Sequence, residues 1–275
     1  MVNFFSLKDK VIIITGGAGL LGKEHAKSVI AFEGIPVLID ISEEHLGRSV
    51  DELKEFEPTA TIESFVADIT NREKLINIRT ELLNRYGHID ALINNAANNP
   101  KMETATDNMR SIQFENFPED IWNQDIAVGL TGALLCSQVF GEQMARQGKG
   151  VILNISSDLG IIAPDQRIYR KKGLTDDQQI VKPVTYSVVK HGLIGLTKYL
   201  ATYYAEKGVR ANALCPAGIN NGQEDDFVTK LTNLIPMGRM ASIDEYQGTI
   251  VYMLSDASKY MTGSTVIVDG GRTCW

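Results

Sequence analysis

The sequence predicts a single α/β domain in which a parallel sheet of about seven strands carries helices on both faces. Short apolar segments rich in β-branched residues alternate with segments of helical spacing, such as 43–56 and 71–86. Continuous apolar strands are typical of a parallel sheet buried on both faces, and the alternation predicts crossover helices. A glycine-rich turn follows the first apolar segment. Together these features predict a doubly wound, Rossmann-like sheet, with strands at 11–14, 36–39, 61–66, 89–93, 150–155, 209–214 and 264–268.

Composition supports one compact domain over residues 1–275. Hydrophobic residues make up 44% of the chain and charged residues 22%, as in ordinary globular proteins, and no repeat or linker divides it. The net charge of −7 argues against a nucleic-acid partner, because neutralising phosphates requires a basic surface. We therefore expect a small-molecule partner.

Several other classes of protein are also disfavoured. No apolar run approaches the roughly 20 residues that span a bilayer, and the first residues lack the order of a secretory signal. We therefore expect no membrane segment and a cytoplasmic location. The three cysteines are widely spaced, which predicts reduced thiols rather than a disulfide framework, and the histidines show no metal-ligand spacing. No metal site is expected from these residues: Cys136, Cys215, Cys274, His25, His45, His88 and His191.

The glycine-rich turn reads T-G-G-A-G-L-L-G at 15–22, between a predicted strand and a predicted helix. Gly17, Gly19 and Gly22 satisfy the G-x-G-x-x-G spacing of dinucleotide-binding turns. Glycines permit the tight turn and let a pyrophosphate approach backbone N–H groups at the positive end of the helix. By itself this turn is weak support for a cofactor site. The assignment therefore depends on its context, the residues that follow it in the chain.

Asp40 supplies that context, because it ends the second predicted strand 18 residues beyond Gly22. A carboxylate at this place accepts hydrogen bonds from the adenosine ribose hydroxyls and repels a 2′-phosphate. The next two residues, Ile41 and Ser42, offer no positive charge. The predicted cofactor is therefore NAD(H) rather than NADP(H).

Tyr186 and Lys190 are the candidates for proton chemistry. They lie four residues apart in a long helical segment, 183–207, and therefore share one helix face. A phenol with a pKa near 10 is a poor base at neutral pH, but a neighbouring cation favours the phenolate. Y-x-x-x-K is common by chance, so the pair gains weight only from the motifs around it.

Five motifs occur in one order: the glycine turn, N-N-A-A at 94–97, I-S-S-D-L-G at 155–160, Y-S-V-V-K at 186–190 and D-G-G at 269–271. In this combination the chain resembles the compact, single-domain branch of the short-chain dehydrogenase/reductase family over nearly its whole length. The resemblance implies an NAD(H)-dependent oxidoreductase that transfers a hydride between the nicotinamide and a secondary alcohol or ketone.

The same resemblance assigns roles to individual residues. Ser157 is expected to hold the substrate oxygen, Tyr186 to transfer the proton, and Lys190 to bind the nicotinamide ribose and adjust the tyrosine. Asp68 and Ile69 are expected at the adenine, Asn95 in the cofactor groove, and the Ile219 backbone at the carboxamide. The implied cofactor contacts are Gly16, Gly19, Leu21, Gly22, Asp40, Asp68, Ile69, Asn95, Tyr186, Lys190, Ile219 and Asn221.

Two departures from the family pattern leave alternatives open. The form T-G-x-x-G-x-x-G is typical of the family's sugar-nucleotide epimerases and dehydratases, in which NAD is retained and regenerated, and Leu20 stands where compact members have a glycine. Gly129 stands where many compact members have an asparagine that supports a proton relay. The two departures therefore leave two other functions open: a sugar-nucleotide epimerase or dehydratase, or a cofactor-binding scaffold without activity.

Specificity is expected in two insertions, 98–118 and 162–183, and in a substrate loop at 222–236. The second insertion contributes to a separation of 29 residues between Ser157 and Tyr186, about twice the usual value. Its basic run is either a solvated charge cluster or an anion-binding lip: Arg167, Arg170, Lys171 and Lys172.

The helix YSVVKHGLIGLTKYLA at 186–201 resembles that of members linked to surface-glycan or flagellin-sugar pathways. This resemblance points to a sugar or sugar-phosphate hydroxyl as the substrate group. Compact members assemble through the long helices after the fourth and fifth strands, so a homodimer or homotetramer is expected.

Overall fold

The computed structural model describes residues 3–98 and 113–275. Their seven strands form one parallel sheet in the order β3-β2-β1-β4-β5-β6-β7. The order reverses between β1 and β4, as in a doubly wound fold. The strands are β1 Val11–Thr15, β2 Ile35–Asp40, β3 Glu63–Val66, β4 Ala91–Asn94, β5 Gly150–Ile155, β6 Val209–Pro216 and β7 Thr265–Val268.

Helices connect successive strands. Side-chain caps fix two of their starts, because Ser42 and Asn71 accept hydrogen bonds from the backbone N–H groups of His45 and Lys74. The helices are α1 Leu20–Ala31, α2 Glu43–Phe56, α3 Arg72–Tyr86, α4 Glu119–Ile126, α5 Ala133–Gln147, α6 Val184–Tyr204, α7 Asp225–Thr232 and α8 Gln247–Leu254.

The predicted fold class is confirmed, and the predicted elements match the structure closely. Each predicted strand overlaps an observed one with ends that differ by at most two residues. The predicted helix 43–56 coincides with α2, and 71–86 differs from α3 only by its capping residue. The long segment 183–207 contains α6 and a following single 3₁₀ turn, Ala205–Lys207.

The core has two layers, one on each face of the sheet. Alternate residues of β1 point to opposite faces, so Ile13 packs with α3, α5 and α6, whereas Ile12 and Ile14 pack with α1, α2 and α8. This burial on both faces explains why central strands such as β1 are apolar along nearly their whole length. The sheet is thereby fixed rigidly, and its carboxyl edge is left to carry polar groups.

Two regions depart from regular helices. Residues Ala127–Gly132, between α4 and α5, form a π-helix. The insertion 162–183 contains short 3₁₀ turns at Gln166–Tyr169 and Asp176–Gln178. Of the other predicted insertion, 98–118, residues 99–112 lie outside the described part of the chain. None of the helices in the described part is long and apolar enough to cross a membrane.

Candidate active site

A cavity of about 610 Å³ opens at the carboxyl ends of the central strands, where the strand order reverses. This is the place at which doubly wound sheets bind ligands. Its lining includes most of the residues singled out from the sequence: Gly16, Gly19, Leu21, Asp40, Asn95, Ser157, Tyr186, Lys190, Ile219 and Asn221.

The glycine turn forms one end of this cavity, and its glycines have separate structural roles. Gly16 adopts a φ of 62°, and a Cβ there would lie 2.9 Å from the Ala96 Cα atom. A Cβ at Gly22 would lie 2.2 Å from the Gly16 carbonyl oxygen, so α1 crosses the turn at backbone contact distance. Gly19 caps α1, whose first turn has no acidic residue. The positive end of α1 is therefore free of a competing carboxylate.

Asp40 lies beside this turn at the end of β2. Its carboxylate accepts hydrogen bonds from the N–H groups of Ala18 at 3.1 Å and Ser42 at 3.2 Å. The next residue, Ile41, is 71% exposed. The acidic side chain is thus held in one orientation at the cavity wall, with no cation following it in the chain.

Asn95 joins the glycine turn to the end of β4. Its side-chain amide donates to the carbonyl oxygens of Thr15 at 3.0 Å and Gly16 at 3.1 Å. The Thr15 hydroxyl in turn accepts from the N–H groups of Asn95 and Ala96. These bonds hold together the two strand ends that frame the cavity.

Ser157, Tyr186 and Lys190 meet in the middle of the cavity wall. Tyr186 and Ser157 both line this wall and are close enough to affect each other, and the Lys190 Nζ atom lies 5.7 Å from the centroid of the Tyr186 ring. Lys190 also donates to the Ile155 carbonyl oxygen at 2.8 Å. The end of β5 and the helix α6, which are distant in the chain, thus meet at this wall of the cavity.

The end of β5 is attached directly to α6. The Ser156 hydroxyl donates to the Lys190 carbonyl oxygen at 2.7 Å. A Cβ at Gly160 would lie 2.3 Å from the Ser156 Oγ atom and 2.9 Å from the same carbonyl oxygen. A glycine is required at position 160 because the serine and the helix backbone leave no room for a side chain.

Burial sets the acid–base properties of the site. It raises the pKa of the Tyr186 phenol, and a hydrogen bond donated by Ser157 to the phenolate acts in the opposite direction. Burial, assisted by the neighbouring Lys182 ammonium, lowers the pKa of Lys190 to about 8. Burial therefore brings the charge change of Lys190 closer to neutral pH and favours the neutral O–H form of Tyr186.

Three charged cavity residues were not predicted from the sequence. Lys182 places its Nζ atom 3.9 Å from the centroid of the Tyr186 ring, and burial lowers the pKa of this lysine to about 8. Asp158 and Arg272 form an ion pair whose side chains are 3% and 6% exposed. Asp158 directly follows Ser157, and Arg272 directly follows the D-G-G motif; these neighbouring positions are the only sign of the two residues in the sequence.

Three predicted cofactor contacts do not line the cavity. Gly22 serves the close packing of α1 on the turn. The Asp68 carboxylate accepts hydrogen bonds from the backbone and hydroxyl of Thr70. Ile69 is buried in the core, where its Cδ1 atom would lie 2.5 Å from a Cβ at Gly132. The assignment of Asp68 and Ile69 to the adenine stays a prediction.

The substrate side of the cavity is formed by the second insertion and the loop at 222–236. They contribute Ile168, Tyr169, Arg170, Lys171, Ile180, Lys182, Gln223, Glu224, Asp226, Phe227 and Leu231. The basic run of the insertion is largely neutralised by carboxylates: Arg167 pairs with Asp165, Arg170 with Asp176, and Lys171 with Glu224. This pairing favours the solvated charge cluster over the anion-binding lip.

Gly129 lies in the π-helix against α6. A Cβ there would stand 2.5 Å from the Val189 Cγ1 atom. The relay asparagine of other family members is therefore sterically excluded while Val189 keeps its place. Cys136 and Cys215 are buried free thiols. The described residues contain no cluster of three or more His, Cys, Asp or Glu suited to a metal ion.

A family model described as enoyl-(acyl carrier protein) reductase matches residues 18–273 of the chain. The chain therefore belongs to the short-chain dehydrogenase/reductase family of oxidoreductases, as its ordered motifs predict.

Individual relatives match along nearly the whole chain. Post-translational flagellin modification protein A of Campylobacter coli is 31% identical over 265 residues, covering 96% of this chain and 98% of that protein. NAD-dependent glycerol dehydrogenase of Listeria innocua is 29% identical over 277 residues, covering 98% and 96%. The structure is similar to that of a short-chain dehydrogenase from Leptospira borgpetersenii with bound NAD⁺, with a TM-score of 0.80 and 31% identity, covering 99% and 96% of the two chains.

Proposed function

We propose that the protein is an NAD(H)-dependent oxidoreductase that interconverts a secondary alcohol and a ketone. The observation that carries the choice of cofactor is the fixed carboxylate of Asp40 at the cavity wall, followed by the exposed, uncharged Ile41. A carboxylate in this position binds ribose hydroxyls and repels the 2′-phosphate of NADP(H). The NAD⁺-bound relative and the NAD-dependent glycerol dehydrogenase support the same choice.

The residues at the cavity fit a dinucleotide. Gly16, Gly17, Gly19 and Gly22 leave the turn at the positive end of α1 with little side-chain bulk, which suits a pyrophosphate. Asp40 would hold the adenosine ribose, Lys190 the nicotinamide ribose, and the Ile219 backbone with Asn221 the carboxamide. The bound nicotinamide supplies the hydride chemistry, and the protein supplies orientation and charge.

Tyr186 is the proposed proton-transfer group, because its phenol lies in the cavity beside both Ser157 and Lys190. Its oxygen would give the proton to the ketone oxygen or receive it from the alcohol. The Lys190 ammonium stabilises the phenolate form. Ser157 would steady the substrate oxygen next to Tyr186.

The proposed substrate is a small hydroxylated compound, such as a sugar, a sugar phosphate or a polyol. The substrate side of the cavity offers hydrogen-bonding side chains, including Tyr169, Gln223 and Asp226, beside apolar ones such as Phe227. Such mixed surfaces suit polyhydroxylated molecules, whose carbon faces pack while their hydroxyls bond. The names of the flagellin-modification and glycerol-dehydrogenase relatives support this class.

The first experiment measures NADH and NADPH binding to the purified protein by fluorescence. A coupled screen of sugars, sugar phosphates, polyols and small alcohols then follows NADH formation at 340 nm. The proposal requires tighter NADH binding and net NADH formation with at least one compound. Failure to bind NADH would refute it. Tightly retained NAD, with conversion of a sugar nucleotide and no net NADH formation, would instead establish an epimerase or dehydratase. NADH binding without turnover of any compound would establish a cofactor-binding scaffold.

We also propose that the protein forms a homodimer or homotetramer through α5 and α6. Leu134, Tyr199 and Tyr203 are 40%, 63% and 54% exposed on this face. Tyr199 and Tyr203 stack with their ring centroids 5.7 Å apart. Exposed aromatic side chains such as these two tyrosines of α6 are typical of interfaces between protein chains.

A further inference from the structure

The ion pair of Asp158 and Arg272 contacts Ser157. The Ser157 hydroxyl donates to Asp158 Oδ1 at 2.7 Å, and Arg272 Nη1 donates to Asp158 Oδ2 at 2.6 Å. Both charged side chains line the cavity, yet both are almost fully buried. A buried ion pair costs desolvation free energy and so is weak support for stability by itself. Its contact with Ser157 suggests a role in the reaction.

A rigid loop places Arg272 at this position. The Asp269 carboxylate accepts hydrogen bonds from the N–H groups of Gly271 at 2.8 Å and Thr273 at 2.7 Å. Gly270 and Gly271 both have positive φ angles, and Cβ atoms there would lie 2.8 Å from Ile235 and 2.9 Å from Pro236. The loop therefore fixes the backbone of Arg272, and the bond to Asp158 holds its guanidinium.

The bonds of Ser157 determine how it meets Tyr186. A serine hydroxyl has one hydrogen and two lone pairs. Its hydrogen is directed to Asp158, and its oxygen accepts from the Leu159 N–H at 3.2 Å. Only a lone pair is left for Tyr186, which lines the same wall of the cavity. In this arrangement Ser157 can accept a hydrogen bond from the neutral phenol, whereas a phenolate would have to take the serine hydrogen away from Asp158.

We propose that Asp158 and Arg272 are positioning residues: Asp158 holds the Ser157 hydroxyl hydrogen so that Tyr186 is kept in its O–H form, and Arg272 holds the Asp158 carboxylate. This role rests on the proposed function, because it matters only if Tyr186 exchanges a proton with the substrate. It provides the reductive direction with a phenol ready to donate.

The proposal can be tested with two variants whose expected shifts of the Tyr186 pKa have opposite signs. Asp158 raises and Arg272 lowers the pKa of the phenol. Lys182 lies over the ring, Lys190 lies on the same helix, and the Tyr169 phenol lines the same cavity. Replacing Asp158 or Arg272 leaves the other three groups unchanged. Each replacement removes one charge. Replacing Asp158 also removes the carboxylate that competes with a Tyr186 phenolate for the serine hydrogen.

The experiment is a fluorine NMR titration of the NAD⁺-bound protein labelled with 3-fluorotyrosine, whose phenol is more acidic than that of tyrosine. The resonance missing from Tyr186→Phe identifies the reporter among the 9 tyrosines. We expect Asp158→Asn to lower the Tyr186 pKa and Arg272→Met to raise it, while Arg272→Lys stays close to the parent. The titration needs no substrate, so its result is separate from failure of the proposed reaction.

Glu44→Gln and Arg48→Met are matched controls, since this exposed pair lies on α2 outside the cavity. Shifts in the same direction for Asp158→Asn and Arg272→Met, or shifts no larger than those of the controls, would overturn the proposal. If Arg272→Met does not fold, because Asp158 is left buried without a partner, the double variant Asp158→Asn/Arg272→Met replaces it. The double variant is expected to lie between Asp158→Asn and the parent.

Discussion

Val189 occupies the space that a side chain at Gly129 would need, with its Cγ1 atom 2.5 Å from the position of such a Cβ. Gly129→Ala should therefore lower the free energy of unfolding by about 1–3 kcal/mol, because overpacking forces neighbours to move. Urea denaturation measures this change, and Val189→Ala in the same chain should restore part of it. Gly195→Ala is the matched control: it has open space around its position in α6. It should be neutral or stabilising, and an equal loss in both variants would contradict the steric explanation.

Asp40→Asn should weaken NADH binding roughly tenfold or more, because a hydrogen bond to a charged group contributes about 1.5–3 kcal/mol. NADPH binding should fall less or rise, since the repelling charge is gone. Fluorescence titration with both cofactors gives the ratio of the two dissociation constants. Asp51→Asn, on the exposed side of α2, should leave this ratio unchanged. The same ratio in Asp40→Asn and the parent protein would exclude Asp40 as the selecting group.

Tyr186→Phe should bind NADH within about threefold of the parent protein and lose roughly 100-fold or more in kcat. The substitution keeps the ring and removes the oxygen that exchanges the proton. Stopped assays at 340 nm with a substrate from the coupled screen measure the loss. Tyr199→Phe, on the exposed face of α6, serves as the control and should keep full activity. Substantial turnover by Tyr186→Phe would assign the proton transfer to another group.

Lys190→Met should increase the stability of the cofactor-free protein at pH 7 by up to about 3 kcal/mol. Burial lowers the pKa of Lys190 to about 8 in the folded state, from 10.5. Between these values the unfolded chain binds more protons, so the contribution of Lys190 to folding improves as pH rises from about 8 toward 10.5 and is unfavourable below.

Urea unfolding at pH 7 and at pH 9.5 compares Lys190→Met with the parent protein. The parent should gain stability relative to the variant at the higher pH. Lys198→Met removes an exposed lysine of the same helix and should show no such difference. The same difference in unfolding free energy between the parent and Lys190→Met at both pH values would show that burial does not lower the pKa of Lys190.

Tyr199→Glu together with Tyr203→Glu should dissociate the proposed oligomer, because two carboxylates would face their symmetry mates across α6. Light scattering after size-exclusion chromatography gives the mass in solution. Phe56→Glu changes an apolar residue that is 51% exposed on α2, and it should leave the mass unaltered. A monomeric parent protein would refute the assembly outright.

The sequence predicted the scaffold well because local signals and the fold agree. Apolar runs such as 150–155 report burial on both faces of the sheet, and capping residues such as Ser42 mark where α2 begins. Ser157, Tyr186 and Lys190 could be assigned together because short motifs at fixed places in the fold bring them to one edge.

The ion pair of Asp158 and Arg272 could not be predicted in the same way. The two residues lie 114 positions apart, and no periodic pattern connects them. Their meeting depends on the turn after Asp269 and on packing against Pro236, both of which are tertiary features. The π-helix that contains Gly129 was not predicted for a related reason. Its contact with Val189 of α6 is a tertiary feature that no local pattern reports.

The bond from Ser156 to the Lys190 carbonyl oxygen has a practical consequence for enzyme engineering. It closes a ring of chain whose outer part is the insertion 162–183, so β5 and α6 stay attached at the base of the ring. The Gln166 side chain bonds with the Lys182 backbone, and Lys182 lies over the Tyr186 ring, so both residues have to be kept. A library confined to residues 170–181 leaves these contacts in place and should vary the choice of substrate.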